Sequence, residues 1–193
     1  MDKKQKKRNE IIEKSIHVIY MTGYHGAGIQ DLVNAAGIPK GSFYNYFNSK
    51  EDYAIQALHY FHQHLKENML CILKDSSQPP KERVKRFFHA NVARLEELHF
   101  QMGCLLGNMS QEMGDINEPI AHTVDAILKE IVGEIAECLE RENTGLDCHA
   151  MAEFLVNSFQ GAMLRMKSSR SRHPLDVFLL IMNQLMDCKT EAE

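Results

Sequence analysis

Residues 35–53 read AAGIPKGSFYNYFNSKEDY. Four aromatics fill positions 43–47 around one asparagine, Lys40, Ser42 and Lys50 lie on either side, and no acidic residue comes before Glu51. A short helix over 28–35, a turn at Gly37 and a second short helix starting at Pro39 have the spacing of a helix-turn-helix. Glycine permits the backbone conformation of such a turn, and proline suits a first helical position, where its missing N–H is not needed. The N–H groups that follow it form a helix N-terminus, which attracts phosphate. A helix over 39–46 is too short to be stable alone, and Phe43 and Phe47, four apart, are expected to point inward and pin it. Lys40, Ser42, Tyr44, Asn45 and Tyr46 are then left outside. An exposed tyrosine offers a phenol to phosphate oxygen and a ring to a thymine methyl, and Lys40 and Asn45 reach base edges in the major groove. Lys50, at the start of the next helix, is placed for a backbone phosphate. In the competing reading, Tyr44 and Tyr46 pack a three-helix core with the phenylalanines.

The charge distribution fits a head that meets a polyanion. The chain of 193 residues carries a net charge of −4, yet residues 1–50 hold eight Lys and Arg against four Asp and Glu, and the remainder holds fourteen against twenty-two. A basic N-terminal segment on an acidic body follows, although a lysine-rich solvated tail would give the same count. With 44% apolar residues the chain has enough material for a sizeable core. No apolar run is long enough to cross a membrane, and no apolar segment follows the basic start as in a secretory signal, so no membrane association and a cytoplasmic location are expected. Cysteines at 71, 104, 138, 148 and 188 are odd in number and form no CxxC pair, which argues against a disulfide framework and a zinc site.

Apolar residues recur at helical spacing along the chain, as in Ile11, Ile12, Ile16, Ile19 and Tyr20, and no stretch alternates like a strand. Breaks fall at 23–26, at Gly37, at SSQPP (76–80), at Gly103, at GDINEP (114–119), at NTG (143–145) and at SSRSRHP (168–174). The spacing predicts an all-α chain of about nine helices near 5–22, 28–35, 39–46, 50–74, 80–99, 103–113, 117–142, 146–167 and 174–188.

The run GYHGAGIQDLVNAAGIPKGSFYNYFNSKEDY (23–53) resembles the DNA-binding region of the TetR family of transcriptional regulators, a likeness covering about residues 8–60. Gly23-Tyr24, Asp31-Leu32, Ala36-Gly37, Lys40-Gly41-Ser42-Phe43-Tyr44, Tyr46-Phe47 and Ser49-Lys50-Glu51 carry it. The resemblance implies a DNA-binding domain over 1–50, with three helices plus the start of a fourth, and an effector-binding and dimerising helical domain over 51–193. It implies a homodimer on a palindromic double-stranded operator, released by a small-molecule effector, with no cofactor. Many relatives have Ser or Thr where Gly28 stands; the hydroxyl that caps the second helix and touches phosphate is then absent, and glycine remains an acceptable cap.

MGCLLGNMSQEMGD (102–115) is similar to a subgroup with Gly-Cys-Leu at the start of helix 6, some of whose members sense electrophiles or oxidants through cysteine. Cys104 at a helix N-terminus would favour thiolate, the reactive form; a buried cysteine that merely packs is the alternative. Phe87, Phe88, Met102, Cys104, Met109, Met113, Phe159 and Met163 are expected to line an effector pocket, with Asn91, Asn108, Gln160 and Arg165 available to orient a ligand; a plain helical core would use the same apolar residues. The last two helices carry apolar stripes that include Phe178 and Met182 beside small Gly161 and Ala162. The resemblance implies that they pair with their copies in a second chain, while an intramolecular hairpin fits the sequence equally. His59, His62 and His64 offer no metal site, since only 59 and 62 share a helical face and no acid or thiol falls at ligand spacing. A constitutive architectural DNA binder without effector, or a cysteine-dependent enzyme, are the rival functions; no phosphate loop, HExxH or Gly-x-Ser-x-Gly supports the second.

Overall fold

The computed structural model describes residues 2–141 and 147–187. The expected break at NTG (143–145), the first residue of the expected helix 146–167, Cys188 and the end of the expected last helix lie outside the described residues. Among the described residues there are nine α-helices, one 3-10 segment and no strand. They form two compact units, residues up to Gln63 together with Leu105–Ala126, and His64–Cys104 together with the residues from Ile127 onward. The division of labour expected at residue 50 is a separate, functional one.

The first unit opens with α1 (Lys3–Gly26), which buries Ile11, Ile12, Ser15, Ile19 and Tyr20 along one face. Ser15 is tolerated there because its hydroxyl hydrogen-bonds the carbonyl of Ile11 and the phenol oxygen of Tyr53, each at 2.6 Å. The expected break at 23–26 is a kink inside a longer helix: Gly23 adopts φ 77° and ψ 173°, a region open to glycine alone, and the helix resumes for one turn. Next come α2 (Ile29–Ala36) and α3 (Lys40–Phe43). α2 starts without a hydroxyl cap; the Asp31 carboxylate accepts the Gly28 N–H at 2.9 Å in its place. It ends on Gly37, whose φ of 69° turns the chain while its own N–H and that of Ile38 close on the carbonyls of Asn34 and Val33.

α3 is shorter than expected, because residues 44–46 form a turn, and Pro39 is its cap rather than its first residue. α4 (Lys50–Asn68) is started by Ser49, whose hydroxyl accepts the Asp52 N–H at 3.0 Å, while Asp52 accepts that of Asn48 at 2.8 Å. α6 (Leu105–Met113) and the first residues of α7 (Glu118–Glu140) complete this unit. The Asn117 side chain accepts the Ile120 N–H at 2.9 Å, capping α7, and donates to the Glu51 carboxylate at the start of α4.

The second unit contains a 3-10 segment (Leu70–Lys74), α5 (Pro80–Glu97), the rest of α7, α8 (Cys148–Ser169) and α9 (His173–Asp187). The single expected helix 50–74 therefore breaks after Asn68. Pro80 starts α5, as proline suits a first turn, and Asp147 caps α8 by accepting the Ala150 N–H at 3.0 Å. Phe88, Phe159 and Phe178 meet ring to ring with centroids 5.0–5.3 Å apart, which fixes α5, α8 and α9 to one another. The buried Arg83 donates to the carbonyls of Gln78 and Leu73 at 2.6 and 3.4 Å, so its charge is held by backbone dipoles. Between α5 and α6 the chain cannot continue as a helix: His99, Phe100, Met102 and Gly103 all have φ between 51° and 71°. This places the start of α6 at Leu105 rather than at Gly103.

Candidate functional site

The helix-turn-helix sits on an aromatic platform. Phe43 and Phe47 have at most 1% of their surface exposed; their rings lie 5.1 Å apart, and Tyr53 of α4 closes the group at 6.0 and 5.0 Å. Both phenylalanines thus face inward, as their spacing requires. Tyr44 stands on the opposite side and is 57% exposed. Lys40 and Asn45 are exposed with it, and Ser42, Tyr46 and Gly28 are half-buried. Tyr44 is therefore not a core residue. The position of this face is fixed from α1, where Arg8 donates to the carbonyl of Tyr46 at 2.8 Å. Lys3, Lys4, Lys6 and Lys7 precede it, all exposed, in a first turn without an acidic side chain. This end of the molecule offers donors, aromatic edges and positive charge, the groups that meet a nucleic-acid backbone and the edges of its bases.

Lys50 occupies a more particular place than the sequence indicates. Its ammonium lies 4.4 Å from the centroid of the Tyr24 ring. Burial draws its pKa below the usual lysine range, and the charge of Glu112 works against that shift. Burial and the nearby Glu51 charge push the Tyr24 phenol up. Tyr24 belongs to the Gly-Tyr pair that ends the expected first helix, and that pair was the only sequence signal for its role.

The expected effector-pocket residues fall into both units. Met109 and Met113, on α6, are buried in the first. Phe87, Phe88, Phe159 and Met163 are buried in the second, where Phe88 and Phe159 belong to the aromatic cluster, and Met102 and Cys104 are half-buried. Cys104 immediately precedes α6, and the Gln160 amide donates to its sulfur at 3.3 Å. Among the residues considered for orienting a ligand, Gln160 thus touches Cys104, and Asn91 donates to the Phe87 carbonyl at 2.9 Å. Cys138 is buried and its thiol donates to the Pro80 carbonyl at 3.6 Å, with burial pushing its pKa up; Cys71 is exposed. No group of three His, Cys, Asp or Glu able to hold a metal ion occurs among the described residues.

The apolar stripes of α8 and α9 divide into an inner and an outer set. Phe178 and Met182 are only 7% and 1% exposed, so they pack largely into their own unit, although both also line the groove that runs along the outer face. The outward side chains are Phe154 and Leu164 on α8 and Val177, Leu180 and Ile181 on α9. A groove of about 260 Å³ runs along part of this face, lined by Phe154, Ser158, Ala162, Pro174, Val177 and Ile181, among others. α9 is apolar nearly all round, which is why the sequence did not separate the two sets.

Residues 11–55 match the family model described as bacterial regulatory proteins, tetR family. Residues 80–179 match the C-terminal domain of LmrA/YxaF-like transcriptional regulators. The chain is 36% identical to the HTH-type transcriptional repressor DhaR of Mycobacterium sp. (strain GP1), over 95% of this chain and 94% of that one. It is 28% identical to the repressor NemR of Escherichia coli (strain K12), over 88% of each. The crystal structure of the reduced form of E. coli NemR has the same fold, with a TM-score of 0.85 over 93% of this chain and 96% of that one.

Proposed function

This chain belongs to the TetR family of transcriptional regulators, and from that premise we propose that it is an effector-released repressor, working in the cytoplasm as a homodimer on a palindromic DNA operator. The observation that carries this reading is the two-faced helix-turn-helix, with Phe43 and Phe47 sealed beneath and Tyr44, Lys40 and Asn45 exposed above. In this reading Tyr44, Ser42 and Tyr46 bond phosphates or stack on thymine methyls, Lys40 and Asn45 read base edges, and the Gly28 N-terminus and Lys50 hold the backbone. Residues 1–50 act as the reading head and 51–193 as the effector-binding and dimerising body. No helix of the described residues is long and apolar enough to cross a membrane. The relatives DhaR and NemR are repressors, which supports repression as the output.

Dimerisation is assigned to the outer face of α8 and α9, where Phe154, Val177, Leu180 and Ile181 are exposed together. A pair of chains joined there presents two recognition helices, and one conformation of the dimer sets them about 34–36 Å apart, the spacing of successive major grooves. An effector that binds the spread conformation better by roughly 3 kcal/mol lowers operator affinity about a hundredfold. The effector site is assigned to the second unit, to Phe87, Phe88, Met102, Cys104, Phe159 and Met163. The half-buried Cys104, which accepts the Gln160 amide, is its reactive point, and modification of that thiol is one route of release.

Selection of duplexes from a random pool tests the proposal. A pseudo-palindrome with half-sites about 10–10.5 base pairs apart, or a multiple of that, is the expected product. A pool that yields no enriched duplex, or only sequence-independent binding, would count against a specific repressor.

A further inference from the structure

Lys50, assigned above to an operator phosphate, meets Tyr24 within the first unit. Its ammonium lies 4.4 Å from the centroid of the ring, within the range at which the negative face of an aromatic attracts a cation. The ring is aimed there by its neighbours in the chain. Gly23, with φ 77°, redirects the backbone one residue before it, and the N–H of His25, one residue after it, donates to the Glu112 carboxylate at 3.2 Å. The His25 ring stands edge-on to Tyr24 with centroids 5.6 Å apart. Tyr24 and Lys50 are both half-buried, so the lysine stem is confined while part of the side chain stays accessible.

Resting on the DNA-binding reading, we propose that Tyr24 is a positioning residue whose ring holds the Lys50 ammonium ready for an operator phosphate. An ammonium on a ring face keeps N–H donors for a second partner, because the ring occupies only one side of it. A lysine that is free in solvent loses much of its rotamer freedom at the moment of contact. One already confined over a ring has lost part of that freedom before DNA arrives. The ring is also neutral, so it confines the ammonium without cancelling the charge that a phosphate needs.

Tyr24→Phe and Tyr24→Leu test this, because phenylalanine retains the ring and leucine retains only apolar bulk. With the duplex obtained by selection, Tyr24→Leu should weaken binding about threefold per reading head, hence about tenfold for a dimer that engages two. Tyr24→Phe should stay within about twofold of the parent. In a Lys50→Ala background Tyr24→Leu should change affinity by less than about twofold. By NMR without DNA, the ring current should shift the Lys50 ε-methylene protons upfield in the parent and in Tyr24→Phe, and Tyr24→Leu should return them to ordinary lysine positions. An equal loss in the Lys50→Ala background would show that Tyr24 only packs the end of α1. That result, no loss in Tyr24→Leu, as large a loss in Tyr24→Phe, or ordinary Lys50 shifts in the parent overturns the proposal. Where Lys40→Ala weakens binding and Tyr24→Leu does not, the reading head stands and the positioning role falls. If the parent binds no duplex, the DNA-binding reading itself fails and the role of Tyr24 fails with it.

Discussion

Replacing Gly23 by alanine perturbs the kink of α1 in two separable ways. The backbone there has φ 77° and ψ 173°, a conformation that costs a non-glycine residue on the order of 1–3 kcal/mol. The new methyl also falls 2.3 Å from one Glu112 oxygen and 2.7 Å from the other, so the carboxylate must leave. Its departure takes the acceptor from the His25 N–H, a partly exposed hydrogen bond worth about 1 kcal/mol. The expected total is a loss of about 2–4 kcal/mol, which lowers the melting temperature by roughly 4–16 °C in a chain of this size. Urea unfolding of Gly23→Ala, Glu112→Ala and the double variant separates the parts. In the Glu112→Ala background the alanine should cost only the backbone share, about 1–3 kcal/mol. A Gly23→Ala protein as stable as the parent would refute the reasoning, since neither the kink nor the carboxylate would then require glycine.

Three further outcomes are expected. Val177→Asp with Ile181→Asp, both on the exposed face of α9, should leave the fold intact and give monomers in sedimentation velocity; a variant that sediments as a dimer would place the interface elsewhere. Burial raises the Tyr53 phenol pKa well above the tyrosine range, against the Ser15 hydrogen bond. The folded state therefore keeps a proton that the unfolded chain releases near pH 10, and stability holds below about pH 10 and falls above it. Tyr53→Phe should flatten that alkaline fall at a cost of about 1 kcal/mol at lower pH, measured by urea unfolding between about pH 8 and 11; an unchanged alkaline slope would contradict it. A small maleimide should release the parent from its duplex, leave Cys104→Ser bound, and act unchanged on variants of the other cysteines. Equal release of Cys104→Ser would make the cysteine a packing residue and the effector a reversible ligand.

The helices were legible because their punctuation is chemical. Gly37, Pro80 and the polar stretch before His173 stop or start them for reasons visible in one residue, and the apolar period of 3.6 does the rest. The head was legible in more detail: the interval between Phe43 and Phe47 determines which side is buried, and with it the exposure of Tyr44. What escaped reading has no local signal. Nothing in HLKENMLCILK announces that α4 ends at Asn68, and positive φ at His99, Phe100 and Met102 is imposed by the fold rather than by glycine. The inner and outer sets of α9 look alike because both are large and apolar and leucine occurs on both, with Phe178 and Met182 inside and Val177 and Ile181 outside. Lys50 reaches the Tyr24 ring, and Glu112 the His25 N–H, from other helices, contacts that no spacing along the chain reveals.

The most direct test of the DNA-reading face is fluorescence anisotropy of the selected duplex with the parent, Lys40→Ala and Tyr44→Ala, at two or more salt concentrations. Each substitution should weaken binding by about 1–3 kcal/mol per half-site. The parent should lose affinity linearly on a logarithmic salt scale, with a slope of about −0.9 per phosphate contacted. Both variants binding as tightly as the parent, with the same slope, would show that this face does not read DNA.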